Sequence, residues 1–169
     1  MPGAVQESLR WLPMLFWVSG IHAQTCLVLS RPVLGPSGTA TFGVSLHSVP
    51  GGRPAALEWA FQYSSSNIAA LTVDDGPVLG SAGKTTFCAG NSDSFSCLAV
   101  GLNAKTIGDG VIAKVTATLA PGADSANLAI KSALGASPEG YFISVKAISS
   151  AESYSNCGPE PRRRGEVGK

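Results

Sequence analysis

Charge is scarce in this sequence. Asp, Glu, Lys and Arg make up 14% of its 169 residues, and the formal net charge is +1. So neutral a chain offers no electrostatic footprint for nucleic acid or for an acidic membrane surface. Histidine is scarcer still, with two residues, His22 and His47. His47 stands beside Ser48 in a strand-like run and carries no nucleophile motif, so it reads as a surface or satisfied residue. No G-x-S-x-G elbow occurs, and a hydrolase triad therefore has no anchor. Glycoside hydrolysis needs two carboxyl groups about 5 to 10 Å apart in a cleft. Asp74, Asp75, Asp93, Asp109 and Asp124 fall instead in turn-like sequences, where Asp serves the backbone. Glu58 alone among the acidic residues is placed inside a strand. Asp74-Asp75-Gly76 lacks the D-x-D-x-D-G spacing of a calcium loop. No C-x-x-C pair occurs and one histidine, His47, follows residue 23, which argues against zinc. No N-x-S/T sequon occurs. No catalytic residue, metal ligand or cofactor is expected, and the chain is not read as an enzyme.

Long apolar runs are also missing beyond the N-terminus. Residues 11–21 (WLPMLFWVSGI) follow Arg10 and have the length of an export-signal core. That run falls well short of the roughly 20 residues that span a bilayer. Residues 1–23 are therefore expected to be a signal peptide cut before Gln24, leaving no membrane span. A secreted protein, extracellular or periplasmic, is implied. Residues 158–169 (GPEPRRRGEVGK) are nearly devoid of apolar side chains and are expected to form a disordered basic tail.

Export changes how the four cysteines read. Cys26, Cys88, Cys97 and Cys157 all follow the cut, and an even number in an oxidising compartment favours disulfides. Three pairings are possible. Cys88–Cys97 with Cys26–Cys157 is preferred, because the first pair closes a short loop between two strand-like runs. Loop-closure entropy puts its contribution at about 3 kcal/mol and that of the terminal pair at about 5 kcal/mol.

What the chain has is alternation, and residues 97–119 (CLAVGLNAKTIGDGVIAKVTATL) show it best. Leu98, Val100 and Leu102 alternate with small residues, and residues 103–110 carry turn chemistry. Val111, Ala113, Val115, Ala117 and Leu119 then share one face, with Ile112, Lys114, Thr116 and Thr118 on the other. A period of two sends successive side chains to opposite faces of a sheet. One face is expected to be apolar and covered, the other mostly polar. Similar runs at 26–30, 39–49, 56–63, 68–73, 84–89, 95–102, 111–119, 127–132 and 141–148 give nine strands. Residues 31–38 and 135–140 read as turn and loop, and a helical turn is plausible only within 64–71. Glycine (20) and proline (11) supply many turns. The expected fold is all-β, a nine-stranded antiparallel β-sandwich or jelly roll occupying residues 24–157. Trp59, Phe61 and Tyr63 share one strand face with Leu57. Buried, they are core; exposed, they would make a stacking platform for sugars.

Taken together, LEWAFQY (57–63), VDDGP (73–77) and GDGVIAKVTATL (108–119) resemble cohesin-like domains, the nine-stranded jelly rolls of bacterial exported and cell-surface proteins. The order of GKTTFCA (83–89), SCLAVGLN (96–103) and the Gly-Asp-Gly turn is similar to a cohesin-like subgroup with a cysteine pair. The resemblance covers about residues 26–150. It implies non-catalytic protein–protein binding. In cohesins a flat sheet face built from the third, fifth, sixth and eighth strands receives a calcium-loaded dockerin. Carried onto this sequence, the outward binding positions are Glu58 and Gln62, Lys84 and Thr86, and Ser96. The partner implied is a dockerin-like or cell-surface protein. Carbohydrate-binding modules share the fold class, so polysaccharide recognition through exposed aromatics is the alternative.

Overall fold

The computed structural model describes residues 24–91, 93–149 and 157. The expected signal peptide (1–23) and tail (158–169) lie outside the described residues. Ten strands and one short helix follow in chain order: β1 (Thr25–Leu29), β2 (Val33–Gly35), β3 (Thr39–His47), β4 (Ala56–Tyr63), β5 (Ile68–Asp75), α1 (Pro77–Ala82), β6 (Thr85–Gly90), β7 (Ser94–Val100), β8 (Gly110–Leu119), β9 (Leu128–Ala136) and β10 (Phe142–Ile148). They form two layers. The back sheet runs β5–β8–β3–β1–β10, with β2 on the edge of β3, and the front sheet runs β10–β9–β4–β7–β6.

One strand belongs to both layers. Phe142, Ile143 and Ser144 pair with β9 in front, while Val145 to Ile148 pair with β1 behind. The β1–β10 pairing is parallel, and every other ladder between the named strands is antiparallel. Gly135 sits at this corner opposite Ile143. A Cβ there would stand 3.0 Å from Pro54 Cβ and 3.2 Å from Ile143 Cβ, so any larger residue would press on both neighbours.

The core lies between the layers. Ala40, Phe42, Val44 and Leu46 of β3 face Leu57, Trp59 and Phe61 of β4, all essentially inaccessible to solvent. Their alternation with half-buried or exposed neighbours in both strands is what the period of two requires. All of β1 is buried, because a second small cluster of Cys26, Val28 and Ile148 packs on its other side with Cys157. Both expected disulfides are present, Cys26–Cys157 and Cys88–Cys97.

Several sequence expectations are corrected. All nine expected strands form, but residues 31–38 also hold the short strand β2, and β9 runs on to Ala136. Residues 64–67 turn without becoming a helix, since Ile68 already pairs with Leu119. The helix stands instead at Pro77–Ala82. Proline at its start lacks only an N–H the helix leaves unbonded, and left-handed Gly83 (φ 64°) ends it. That proline–glycine frame is visible in the sequence, but six residues are too few to show helical periodicity. In β8, residues 113–119 keep the expected inward face, whereas Val111 is exposed and Ile112 buried. A bulge causes the reversal: Val44 pairs with Ala113 and Ser45 with Val111, so Ile112 is skipped.

Candidate functional site

In β7 the alternation of Leu98, Val100 and Leu102 with small residues does not by itself say which side is covered; the structure turns these residues outward, with Ser96, and puts Cys97 and Ala99 inside. The disulfide decides the phase. Cys97 lies directly across from Cys88 and packs into the core, so its neighbours on either side must point to solvent.

The front sheet therefore carries an apolar outer face. Cross-strand register aligns Phe87 of β6, Leu98 of β7, Glu58 of β4, Leu134 of β9 and Ser144 of β10 in one row. At about 4.8 Å between strands, the stretch from Phe87 to Leu134 spans roughly 14 Å. Phe87 is 64% exposed, Leu98 41% and Leu134 43%. In the adjoining row Ala136 of β9 pairs with both Ala56 and Phe142, and Phe142 is 84% exposed. On the other side the row is small and polar, with Ala89, Ser96, Ala60 and Ser132 in register. Among the described residues, shallow depressions mark the face. One of about 550 Å³ lies against Thr85, Phe87, Val100 and Leu102. Another of about 360 Å³ lies against Phe87, Ser96, Leu98 and Glu58. A further one, about 100 Å³, is bounded by Glu58, Leu98, Leu134 and Phe142.

The five residues carried over from the resemblance divide. Glu58, Gln62 and Ser96 are exposed on this face. Lys84 is not: it is 3% exposed, and its Nζ donates to the Asn103 carbonyl at 2.7 Å. Thr86 is half-buried, its Oγ1 enclosed without a hydrogen-bond partner among the described residues. The phase of β6 runs one residue from that expected, so Thr85, Phe87 and Ala89 point outward instead. Phe87, Leu98, Leu134 and Phe142 were not singled out, because an apolar side chain in an alternating strand reads as core. The pairing of Cys88 with Cys97 is the sequence signal that could have placed Phe87 and Leu98 outside.

The aromatic stripe is core. Trp59 and Phe61 have no exposed surface, and half-buried Tyr63 donates its hydroxyl hydrogen to the Asn91 carbonyl. Burial removes Trp59 and Phe61 from any contact with a polysaccharide, which corrects the stacking-platform alternative. The acidic side chains of the loops do local work. Asp75 Oδ1 accepts the Thr86 N–H (2.9 Å) at the outer edge of β6, and Asp109 Oδ1 accepts the Ser48 N–H (2.9 Å). Among the described residues no three His, Cys, Asp or Glu side chains converge as a metal site would need, and no helix is long and apolar enough to cross a membrane.

No protein-family model and no curated protein matches the sequence. Solved structures do match the fold. One is the sixth cohesin of scaffoldin B from Acetivibrio cellulolyticus, solved with a Cel5 dockerin. It aligns at a TM-score of 0.60 and 12% identity over 76% of this chain and 99% of that one. A non-cellulosomal cohesin from the archaeon Archaeoglobus fulgidus aligns at 0.54 and 14% identity, over 75% of this chain and 87% of its own. The cohesin module of a family 33 glycoside hydrolase from Clostridium perfringens aligns at 0.52 and 12% identity, covering 75% and 98%. By its alignment with these solved structures, the chain folds as a cohesin-like domain.

Proposed function

We propose that this protein is an exported, non-catalytic docking module that binds a protein partner through the outer face of its front sheet. The observation that carries the reading is the exposed row of Phe87, Leu98 and Leu134, with Glu58 between the two leucines and Phe142 beside the row. Large apolar side chains gathered on one face of a folded domain mark an interaction surface more often than scattered ones do. β9, β4, β7 and β6 stand side by side in that sheet, and they are the strands on which the sequence resemblance places the dockerin-binding face. Several structural neighbours were solved as cohesin–dockerin complexes. Two disulfides support an oxidising, extracytoplasmic location.

The test is partner capture from the exported proteome, followed by reconstitution with the purified partner. Phe87→Asp and Leu98→Asp should abolish binding while leaving the domain folded, because both side chains lie on the outer face rather than in the core. Val33→Asp, on the edge of the back sheet, should bind like wild type. Full affinity in both front-face variants would refute the assignment.

A further inference from the structure

We infer that the partner presents an apolar ridge bearing one lysine or arginine at its centre, and that this cation seats on Glu58. The inference rests on the docking reading above and adds the chemistry of what docks. In the central row Glu58 lies directly between Leu98 on β7 and Leu134 on β9, with Phe87 beyond Leu98. It is the one charged side chain in a row otherwise made of two leucines, a phenylalanine and a serine. Among the described residues the ion pair is Arg53–Asp109, elsewhere on the molecule, so Glu58 has no internal counter-ion. The basic residue of β9, Lys131, sits at the β-bulge outside this row.

Water satisfies the carboxylate while the face is bare. A partner wide enough to cover Leu98 and Leu134 together must cover Glu58 as well, and so strip that water away. Burying an unpaired carboxylate is costly, and an apolar partner with nothing opposite Glu58 would lose much of what the leucines contribute. A basic side chain restores the hydrogen bonds and the charge balance, and Glu58 then rejects partners lacking one. The arrangement makes the leucines the source of affinity and the carboxylate the source of selectivity.

A phage-displayed library of random peptides, selected in parallel on the intact protein and on its Glu58→Lys variant, tests this. Binders are assigned to the face by loss of binding to Leu98→Asp. Face-directed binders of the wild type should carry a Lys or Arg flanked by apolar residues. They should bind Glu58→Lys about 30-fold more weakly or worse. The isosteric Glu58→Gln should lie between the two, and its unchanged thermal transition would show that folding is unaffected. Binders selected on Glu58→Lys should be enriched instead in Asp and Glu. Face-directed binders without a basic residue, or indifferent to Glu58→Lys, would overturn the inference and leave the docking reading standing. A selection yielding no face-directed binder would overturn both.

Discussion

Trp59 of β4 lies directly opposite Cys97 of β7, and Cys97 lies directly opposite Cys88 of β6. The indole and the disulfide thus form one inner row of the front sheet, a single position along from the Glu58–Leu98–Phe87 row outside. Sulfur fastens the edge strand β6 to its neighbour β7, at the border of the proposed docking face.

Removing that bridge should loosen the face before it unfolds the domain. Cys88→Ala with Cys97→Ala is expected to cost about 3 kcal/mol in chemical denaturation. Amide exchange should accelerate first in β6, which has β7 as its one ladder partner. Exchange rising equally in β3 would argue against a local role for the bridge.

Trp59→Ala should be among the most damaging single substitutions. The side chain has no exposed surface, and truncating a buried aromatic ring costs roughly 3–5 kcal/mol. Trp59→Phe should cost much less, because it keeps an aromatic ring in the core and Nε1 has no hydrogen-bond partner among the described residues. Urea titration of the two variants compares them directly; equal losses would mean that the indole nitrogen is satisfied in solution.

Lys84 should behave as a structural residue. Its Nζ holds the Asn103 carbonyl, while Asn103 Nδ2 donates to the Gly83 carbonyl, clasping the loop before β8 to the end of α1. Lys84→Met keeps the aliphatic stem and loses the hydrogen bond, with an expected cost of about 1.5–3 kcal/mol. Purified partner should bind the folded variant as it binds wild type. A binding defect without a stability defect would return Lys84 to the interface.

Gly76 should resist even alanine. It precedes α1, and an added Cβ would lie 2.4 Å from the Val111 carbonyl oxygen and 2.6 Å from the Ile112 carbonyl carbon, both backbone atoms. Its N–H also donates to the Ile112 carbonyl at 2.7 Å, beside the bulge. Gly76→Ala is expected to lower stability by about 1–3 kcal/mol through the backbone shift it forces. A thermal melt at the wild-type midpoint would show that the bulge can move.

Much of the architecture is legible in the chain itself. Strand periodicity locates β3 and β4 with the correct inward residues, because Phe42, Val44 and Leu46, like Leu57, Trp59 and Phe61, are large and regularly spaced. The preferred cysteine pairing is the one present. The proposed binding face is less legible. The resemblance points to Glu58, Gln62 and Ser96, and the structure leaves them exposed on the front sheet. Lys84 misleads: a charged side chain signals solvent, yet here a carbonyl in a neighbouring loop takes its nitrogen out of solvent. Phe87 and Leu98 mislead as apolar residues that do not go inside.

Alternation along the chain is a local property, and it settled that this is a two-layered β domain, which strands compose it and how most of them face. Which of two apolar faces remains uncovered is not local. It depends on the registers of β6 with β7, of β7 with β4 and of β4 with β9. Those relations bring Phe87, Leu98, Glu58 and Leu134 from four separate strands into one row, and no spacing within a single strand encodes it.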